Sequence, residues 1–440
     1  MSTDSPTTPR TNATDGEAPL LRLEGLEKYY DRSSGVLDDL LGAPPSVRAV
    51  DGVDLTVREG ETVAVVGESG CGKSTLGRAI LNLDKPTGGT VEYRGEDITG
   101  LADGEMRPYR RDLQMVFQDP LASLNPRQTV ADILTAPMEV HGVGADDEER
   151  VQRAESLLER VGLKASHAER YPHQFSGGQQ QRIAVARSLT LEPELLVADE
   201  PVSALDVSVQ AQLLNLFEDL QADFGLSMLF ISHDLSVVRQ VADRVAVMYL
   251  GEIVEVAPVS ELFENPQHPY TKSLLSAVPR IDPDHRTERT VLEGSVPSPA
   301  DPPSGCRFHT RCPAVVPPSD WDADQSTFRA AFTFRCRILD GEIDPEAVRT
   351  RLESEGRETT ESAVAEYVVD SALDVDPEAL PGDRGDRVRE AAAALAAGDE
   401  DEAARVVADA FPSPCERETP RDTSVGPDHT AACHRVEDER

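Results

Sequence analysis

Short apolar runs separated by longer amphipathic stretches dominate the first 260 residues. Thr62-Val-Ala-Val-Val-Gly67 is β-branched, almost wholly apolar and bounded by glycine, the pattern of a strand buried on both faces. Similar runs recur at Leu113–Phe117, Leu195–Asp199 and Met228–Ser232. Between them apolar residues return at helical spacing around residues 130–140, 147–161, 179–190 and 207–222. Strands alternating with helices predict an α/β domain built on a covered parallel sheet. Ahead of it, apolar residues alternate from Leu21 and again over Val50–Val57, up to a turn at Gly60. Asp31–Ser46, with its Gly and Pro, reads as a loop excursion, and Arg244–Val256 as a hairpin turning at Gly251.

Past residue 280 the texture changes. Proline-rich VPSPADPPSG leads to Cys306, then to a charged segment and an alanine-rich amphipathic stretch at 388–411. This pattern predicts a smaller, irregular C-terminal module. Residues 1–19 are rich in Ser, Thr, Pro and Asp and are expected to form a disordered tail. The α/β domain then spans 20–268, with a helical subdomain at about 119–190, and the C-terminal module spans 269–440. No internal repeat is evident.

Composition narrows the function. The 440 residues carry 80 acids against 43 bases, a formal net charge of −37. Such a surface repels phosphates, so the chain does not hold nucleic acid by its bulk charge. The acidity is not a tail: residues 281–440 hold 36 acids and 18 bases, and the rest of the excess lies upstream. Only five lysines occur, and an acidic, lysine-poor surface resembles proteins adapted to a salt-rich cytoplasm, where screening relieves self-repulsion. No apolar window is long enough to span a bilayer, and the polar first 20 residues lack the apolar core of a signal peptide. Six cysteines in this length do not make a secreted disulfide scaffold. A cytosolic protein is expected, with any membrane role exercised through a partner.

The chemistry begins at Gly67-Glu68-Ser69-Gly70-Cys71-Gly72-Lys73-Ser74-Thr75, which fits G-x-x-x-x-G-K-[ST] between a predicted strand and a predicted helix. Glycines let successive backbone N–H groups turn inward around phosphate oxygens, and the helix that follows aims its positive end at them. Lys73 adds a point charge near the β- and γ-phosphates, and Ser74 offers a hydroxyl to Mg²⁺. Such a loop needs a carboxylate from a neighbouring strand. Leu195–Asp199 ends in two acids: Asp199 to hold Mg²⁺, and Glu200 to orient and deprotonate an attacking water.

Further motifs call for a family. Phe175-Ser176-Gly177-Gly178-Gln179 resembles the signature sequence of ABC-type ATPases. Gln118 in MVFQDP is similar to that family's Q-loop, Ser203–Asp206 to its D-loop and His233 in ISHD to its switch histidine. Tyr30 falls where the family stacks an aromatic ring on adenine, with Tyr29 an adjacent competitor. Taken singly, His233 also reads as a structural histidine and Tyr30 as ordinary core. Together and in order, the motifs imply a P-loop NTPase of the ABC type that binds ATP and Mg²⁺, with Ser74, Gln118 and Asp199 on the metal and Glu200, Gln118 and His233 in catalysis. In the family the signature caps the nucleotide of a facing subunit. One phosphate loop and one signature therefore imply a dimer that shares two ATP sites.

GESGCGKSTLGRAIL, QMVFQDPLASLNPR and QFSGGQQQRIAVARSL are similar to the ATPases of oligopeptide/dipeptide importers, and closer to the second of their two non-identical ATPases. Asn265-Pro-Gln-His-Pro-Tyr-Thr-Lys272, Gly294-Ser-Val-Pro-Ser-Pro299 and Gly305-Cys-Arg-Phe-His-Thr-Arg-Cys-Pro313 resemble that group's C-terminal extension. Residues 314–410 do not match the group's pattern and read as an insert. The resemblance implies a second ATPase subunit, two transmembrane permease subunits that dock on segment 119–140, an extracellular solute-binding protein and peptide uptake. It places the chain peripherally, on the cytoplasmic side of the membrane. Importers of nickel or another small solute share this ATPase, and a soluble ABC ATPase without a transporter is the rival from another class. In some members of the group comparable cysteines hold a [4Fe–4S] cluster, which here implies Cys306, Cys312, Cys415 and Cys433. Free buried thiols are the alternative reading of the same residues.

Overall fold

The computed structural model describes residues 18–31, 46–203, 205–277, 292 and 294–438. The expected tail at 1–19 and the loop excursion at 31–46 fall almost wholly outside the described residues, as does Ala204 of the Ser203–Asp206 motif. The chain forms two compact units. The first comprises residues 1–30, 48–66 and 72–244, and the second residues 31–47, 67–71 and 245–440.

The first unit opens with strands β1 (Leu21–Tyr30), β2 (Val47–Val57) and β3 (Thr62–Val66), then helix α1 (Lys73–Ile80). Strands β4 (Gly88–Tyr93), β5 (Glu96–Asp97) and β6 (Leu113–Val116) follow. Next come α2 (Val130–His141), α3 (Asp147–Arg160), α4 (Gly177–Leu189) and β7 (Leu195–Asp199). The unit closes with α5 (Val207–Phe224), β8 (Ser227–Ser232) and α6 (Leu235–Val241).

Two sheets result. One has the order β2-β1-β4-β5, with β1 and β4 antiparallel from Leu21 opposite Tyr93. The alternation seen from Leu21 is real: Leu21 and Leu23 are buried while Arg22 and Glu24 face solvent. In the other, β3, β8, β7 and β6 lie side by side and all parallel. Every residue of β3, β7 and β8 is buried, which is why these strands read as unbroken apolar runs rather than alternations. α1 lies close against this sheet because it carries Gly77. A β-carbon there would meet Val197 Cγ1 at 2.9 Å and Ile231 Cδ1 at 3.0 Å. α2, α3 and α4 share one apolar core with β7 and α5, centred on Leu134, Leu158, Ile183, Leu196 and Phe217.

Polar side chains fix where these helices begin. The Thr129 hydroxyl accepts the Asp132 N–H at α2 and the Asp132 carboxylate accepts the Thr129 N–H in return, a reciprocal cap. Asp206 caps α5 by accepting the Ser208 and Val209 N–H groups, and Asp234 caps α6 through Ser236. Among the described residues no helix is long and apolar enough to cross a membrane.

The second unit takes in most of β9 (Arg244–Tyr249), then β10 (Glu252–Pro258) and α7 (Pro269–Ser276). Five helices follow: α8 (Gln325–Leu339), α9 (Pro345–Ser354), α10 (Glu361–Ala372), α11 (Arg384–Ala396) and α12 (Glu400–Ala410). The chain ends in a hairpin of β11 (Asp422–Gly426) and β12 (His429–Ala432), and β12 pairs antiparallel with β10. The module was expected to be irregular apart from the amphipathic stretch at 388–411, yet helices also fill its charged segment. Four of its helices are started by Asp324, Asp344, Thr360 and Asp399, and only α11 and α12 are rich in alanine. The segment buries Phe328, Phe332, Phe334, Val364, Val388, Val407 and Phe411 completely. The excursion leaves and returns at one place: the Ser413 hydroxyl donates to the Val316 carbonyl at 2.7 Å, and Arg435 Nε to the Ala314 carbonyl at 2.6 Å.

β12 brings a buried polar knot to β10. Glu255 Oε1 lies 2.9 Å from His429 Nε2 and accepts the Gln267 N–H, while Oε2 accepts the His268 N–H. Burial raises the Glu255 carboxyl, but the bonds from His429, Thr271 and the two N–H groups outweigh it and hold the group below the usual glutamate value. His268 is fully buried and its Nδ1 accepts the Tyr270 N–H at the start of α7, so the ring must be neutral there. Burial pushes His268 down to about 4. Both groups bind protons more weakly when folded. Their contribution is present above the unfolded values and is lost as pH falls, for His268 between about 6.5 and about 4. Thermal melts are therefore expected to lose up to about 3 kcal/mol across that window from His268. His268→Asn, which keeps a capping acceptor without a titrating ring, flattens the loss.

Candidate nucleotide site

Parallel pairing in register brings four strand ends to one edge. Val66 pairs with Ser232, Asp199 with Ile231, and Val116 with Ala198. One or two residues past these ends stand Gly67, His233, Glu200 and Gln118. Residues scattered over more than 160 positions are thus delivered to the same edge, the usual ligand edge of an open parallel sheet.

The loop leaving β3 is shaped by glycine. A β-carbon on Gly67 would stand 2.1 Å from the Met248 carbonyl oxygen, and Gly70 and Gly72 have φ of +81° and +109°, which other residues rarely adopt. Ser69 and Gly70 are exposed at the loop's tip, whereas Cys71 is buried and fills a place that admits only a small side chain. α1 begins at Lys73 with Gly72 as its cap. Gly72 brings no capping side chain and no acid occupies the first turn, so the helix terminus suits an incoming anion. Lys73 is buried at this end.

The Ser74 hydroxyl donates to Asp199 Oδ1 at 2.8 Å. Asp199 is only 2% exposed; burial raises its carboxyl above the usual range, and the Ser74 bond opposes this only in part. A buried carboxylate beside a hydroxyl is a fitting donor set for Mg²⁺, whose charge would offset the burial. Glu200 sits in the left-handed region at φ +44°, a conformation that costs a residue with a side chain about 1 kcal/mol or more. Its N–H donates to the Ile231 carbonyl, and Ser203 bonds back to its carbonyl from both N–H and hydroxyl. So held, its carboxylate meets two partners: Gln118 Nε2 donates to Oε2 at 3.0 Å, and His233 Nδ1 lies 3.1 Å from Oε1. A cavity of about 360 Å³ opens beside them, lined by Ser74, Gln118, Asp119, Arg187 and Asp199 among others.

Tyr30 is 38% exposed, and its hydroxyl bonds to Asp84 and to Thr75 of α1. The neighbouring Tyr29 hydroxyl is spent on Asp51, which leaves Tyr30 as the ring presented beside the loop's helix, with Lys28 Nζ 4.9 Å from its centre. Ser176 and Gly177 are exposed at the start of α4, and Gln179 Oε1 accepts the Ser176 N–H. None of Ser176, Gly177, Gly178 and Gln179 lines the cavity at Ser74 and Asp199. Sequence reasoning missed Arg78 and Arg187, which line that cavity, and nothing local marks either residue.

The four downstream cysteines converge. Cys312, Cys415 and Cys433 are buried, the Cys306 N–H donates to the Cys415 carbonyl at 2.8 Å, and the thiolates of all four repel one another. Burial, reinforced by that repulsion, pushes Cys312 up to about 12 and Cys306 well above its ordinary value. The donor set is of the right chemical kind for iron–sulfur ligation. Among the described residues, however, no trio of Cys, His, Asp or Glu is placed to hold a metal ion. The resemblance-based [4Fe–4S] expectation is not supported by this geometry.

Family comparisons agree with the geometry. A family model described as ABC transporter matches residues 50–203, and one described as the C-terminal region of oligopeptide/dipeptide transporters matches residues 254–318. The oligopeptide transport ATP-binding protein AppF of Bacillus subtilis is 54% identical over 301 residues, 68% of this chain and 90% of that protein. The chain belongs to the ATP-binding subunits of ABC-type oligopeptide transporters. OppF of Escherichia coli, another oligopeptide transport ATP-binding protein, is 50% identical over 307 residues, 69% of this chain and 91% of that protein. A third model, described as a domain of unknown function (DUF8228), covers residues 325–428, the segment that carries the five helices. Like the family, this ABC ATPase uses ATP and Mg²⁺ and hydrolyses the nucleotide.

The Ser74–Asp199 pair makes a specific forecast. Mg·ATP at a hundred times its Kd stabilises a binding protein by about 2.7 kcal/mol. Asp199→Asn keeps the Ser74 bond and removes a buried charge. The nucleotide-free ABC ATPase should then melt at an equal or higher temperature, while the Mg-dependent stabilisation by ATP disappears in a thermal-shift assay.

Proposed function

We propose that this chain is the ATPase subunit that energises uptake of di- or oligopeptides through membrane permease partners, peripherally on the cytoplasmic face. The observation that carries the reading is the meeting of Gln118, Glu200 and His233 at the sheet edge beside Ser74 and Asp199. In this reading Gly67–Thr75 cradle the phosphates, Tyr30 stacks on the base, and Ser74, Asp199 and Gln118 face Mg²⁺. Mg²⁺ bound there would neutralise charge on the phosphate oxygens. Glu200 takes the proton of the attacking water as its oxygen bonds to the γ-phosphorus and the β–γ bridging bond breaks. Gln118 and His233 hold that carboxylate in line.

Ser176–Gln179 lie away from the chain's own cavity, which supports a role in capping the nucleotide of a second ATPase subunit. ATP then closes the pair and hydrolysis reopens it. A cleft of about 420 Å³ lined by Arg110, Gln114, Ile133, Ala136, Pro137 and Val140, among others, is the proposed seat of a permease helix. An extracellular solute-binding protein would act only indirectly, through those permeases. In domain terms the ATPase spans about 20–268 and the C-terminal module 269–440, interrupted by the insert at about 314–410.

Two measurements test this reading. Glu200→Gln should bind Mg·ATP as wild type does and lose turnover by about 10²–10⁴-fold; unchanged hydrolysis removes Glu200 as the base. A pull-down from native membranes should recover two permeases and a second ATPase, whereas recovery of ribosomal or DNA-repair partners alone would refute transport.

A further inference from the structure

Glu68, the second residue of the phosphate loop, is gripped by residues far along the chain. Arg311 Nη1 donates to its Oε2 at 2.8 Å and Nη2 to its Oε1 at 3.1 Å, a bidentate fork across 243 residues of sequence. The Glu68 N–H donates to the Tyr270 hydroxyl at 2.9 Å. Neither anchor is a loose surface group. The Arg311 side chain is 8% exposed, and Tyr270 is fully buried. Tyr270 is fixed by the start of α7 and by ring contacts with Tyr249 at 4.7 Å and Phe308 at 5.2 Å. The other side of the loop is held as well, since the Gly251 N–H donates to the Cys71 carbonyl at 2.9 Å. These residues all belong to the second unit, together with loop residues 67–71.

A carboxylate in a loop that receives a polyphosphate is a liability. Its charge opposes that of the ligand, and the opposition is strong where water is scarce. A flexible loop also loses conformational freedom on binding, which weakens affinity unless the loop is already ordered. Arg311 answers the first cost by neutralising Glu68. Arg311 and Tyr270 together answer the second by fixing one side chain and one backbone N–H of the same residue.

We infer that Arg311 and Tyr270 are positioning residues that neutralise Glu68 and hold the phosphate loop ready for nucleotide. They touch no reacting atom, so they set ATP affinity and leave the chemical step nearly alone. The inference deepens the reading of Gly67–Ser74 as the phosphate loop and rests on it.

Mg·ATP binding and steady-state hydrolysis of full-length variants test it, each variant being checked for a cooperative melt. Arg311→Gln should raise the Kd and KM for ATP about tenfold or more, with kcat changed by less than about threefold. Tyr270→Phe should raise KM by a smaller factor. Glu68→Gln removes the charge that needs neutralising, so Glu68→Gln/Arg311→Gln should bind ATP more tightly than Arg311→Gln alone. Arg335→Gln breaks another buried ion pair of the same unit, with Glu416, and should leave KM unchanged. An unchanged KM in folded Arg311→Gln, no rescue by Glu68→Gln, or an equal KM rise in Arg335→Gln would each overturn the inference. Lys73→Ala separates the two levels. If it still binds Mg·ATP, the phosphate-loop reading itself fails; if it does not, a failure of the Arg311 variants counts against this inference alone.

Discussion

Parallel strand pairing is the constraint on which the rest of the molecule depends. Because β3, β8, β7 and β6 run in one direction and in register, their C-terminal ends finish together. Each end is followed at once by a residue with chemistry. A shift of one strand would displace Asp199 from Ser74, or Glu200 from Gln118 and His233, by more than the reach of a hydrogen bond. The fully buried interiors of β3, β7 and β8 resist such a shift, since any slip would trade well-packed apolar contacts for voids. The site is therefore as rigid as the core beneath it. Glu200, alone among these residues, adds local backbone strain at φ +44°, held in place by its bonds to Ile231 and Ser203.

That edge gathers the groups a nucleotide pocket needs. It offers glycine-turned backbone, a helix terminus, a lysine, a hydroxyl–carboxylate pair and a base with two orienting partners. Ser176 and Gly177, exposed at a helix start suited to an anion, do not line the cavity at Ser74 and Asp199. In the proposed reading, that terminus caps the nucleotide of a second ATPase subunit. Within the second unit, Arg311 and Tyr270 reach Glu68 of the phosphate loop directly.

Most of this was legible in the sequence because each motif abuts a strand that the apolar pattern marks. Gly67, Gln118, Asp199, Glu200 and His233 all stand at or within two residues of a predicted strand's end. Tyr30 could not be separated from Tyr29 by pattern alone, and the difference lies in a hydroxyl bond to Asp51 that only the fold reveals. Between 325 and 410 the amphipathic stretch at 388–411 marks α11 and α12, whereas α8, α9 and α10 lie in sequence whose charge resembles irregular chain. Arg311 and Tyr270 were legible only as parts of a family-like extension. Nothing near them in sequence announces a partner more than 200 residues upstream. The convergence of Cys306 and Cys312 with Cys415 and Cys433 was suggested by resemblance, and the geometry brings the thiols together without placing a metal-holding trio.

The central claim is that this ATPase is half of a shared nucleotide machine. Sedimentation of the full-length chain, alone and with its co-purified second ATPase, tests it most directly when run with and without saturating Mg·ATP under conditions that block turnover. The account predicts association that depends on nucleotide and is abolished by altering Ser176 in the facing subunit. Subunits that bind Mg·ATP fully yet sediment as monomers at every concentration would contradict it.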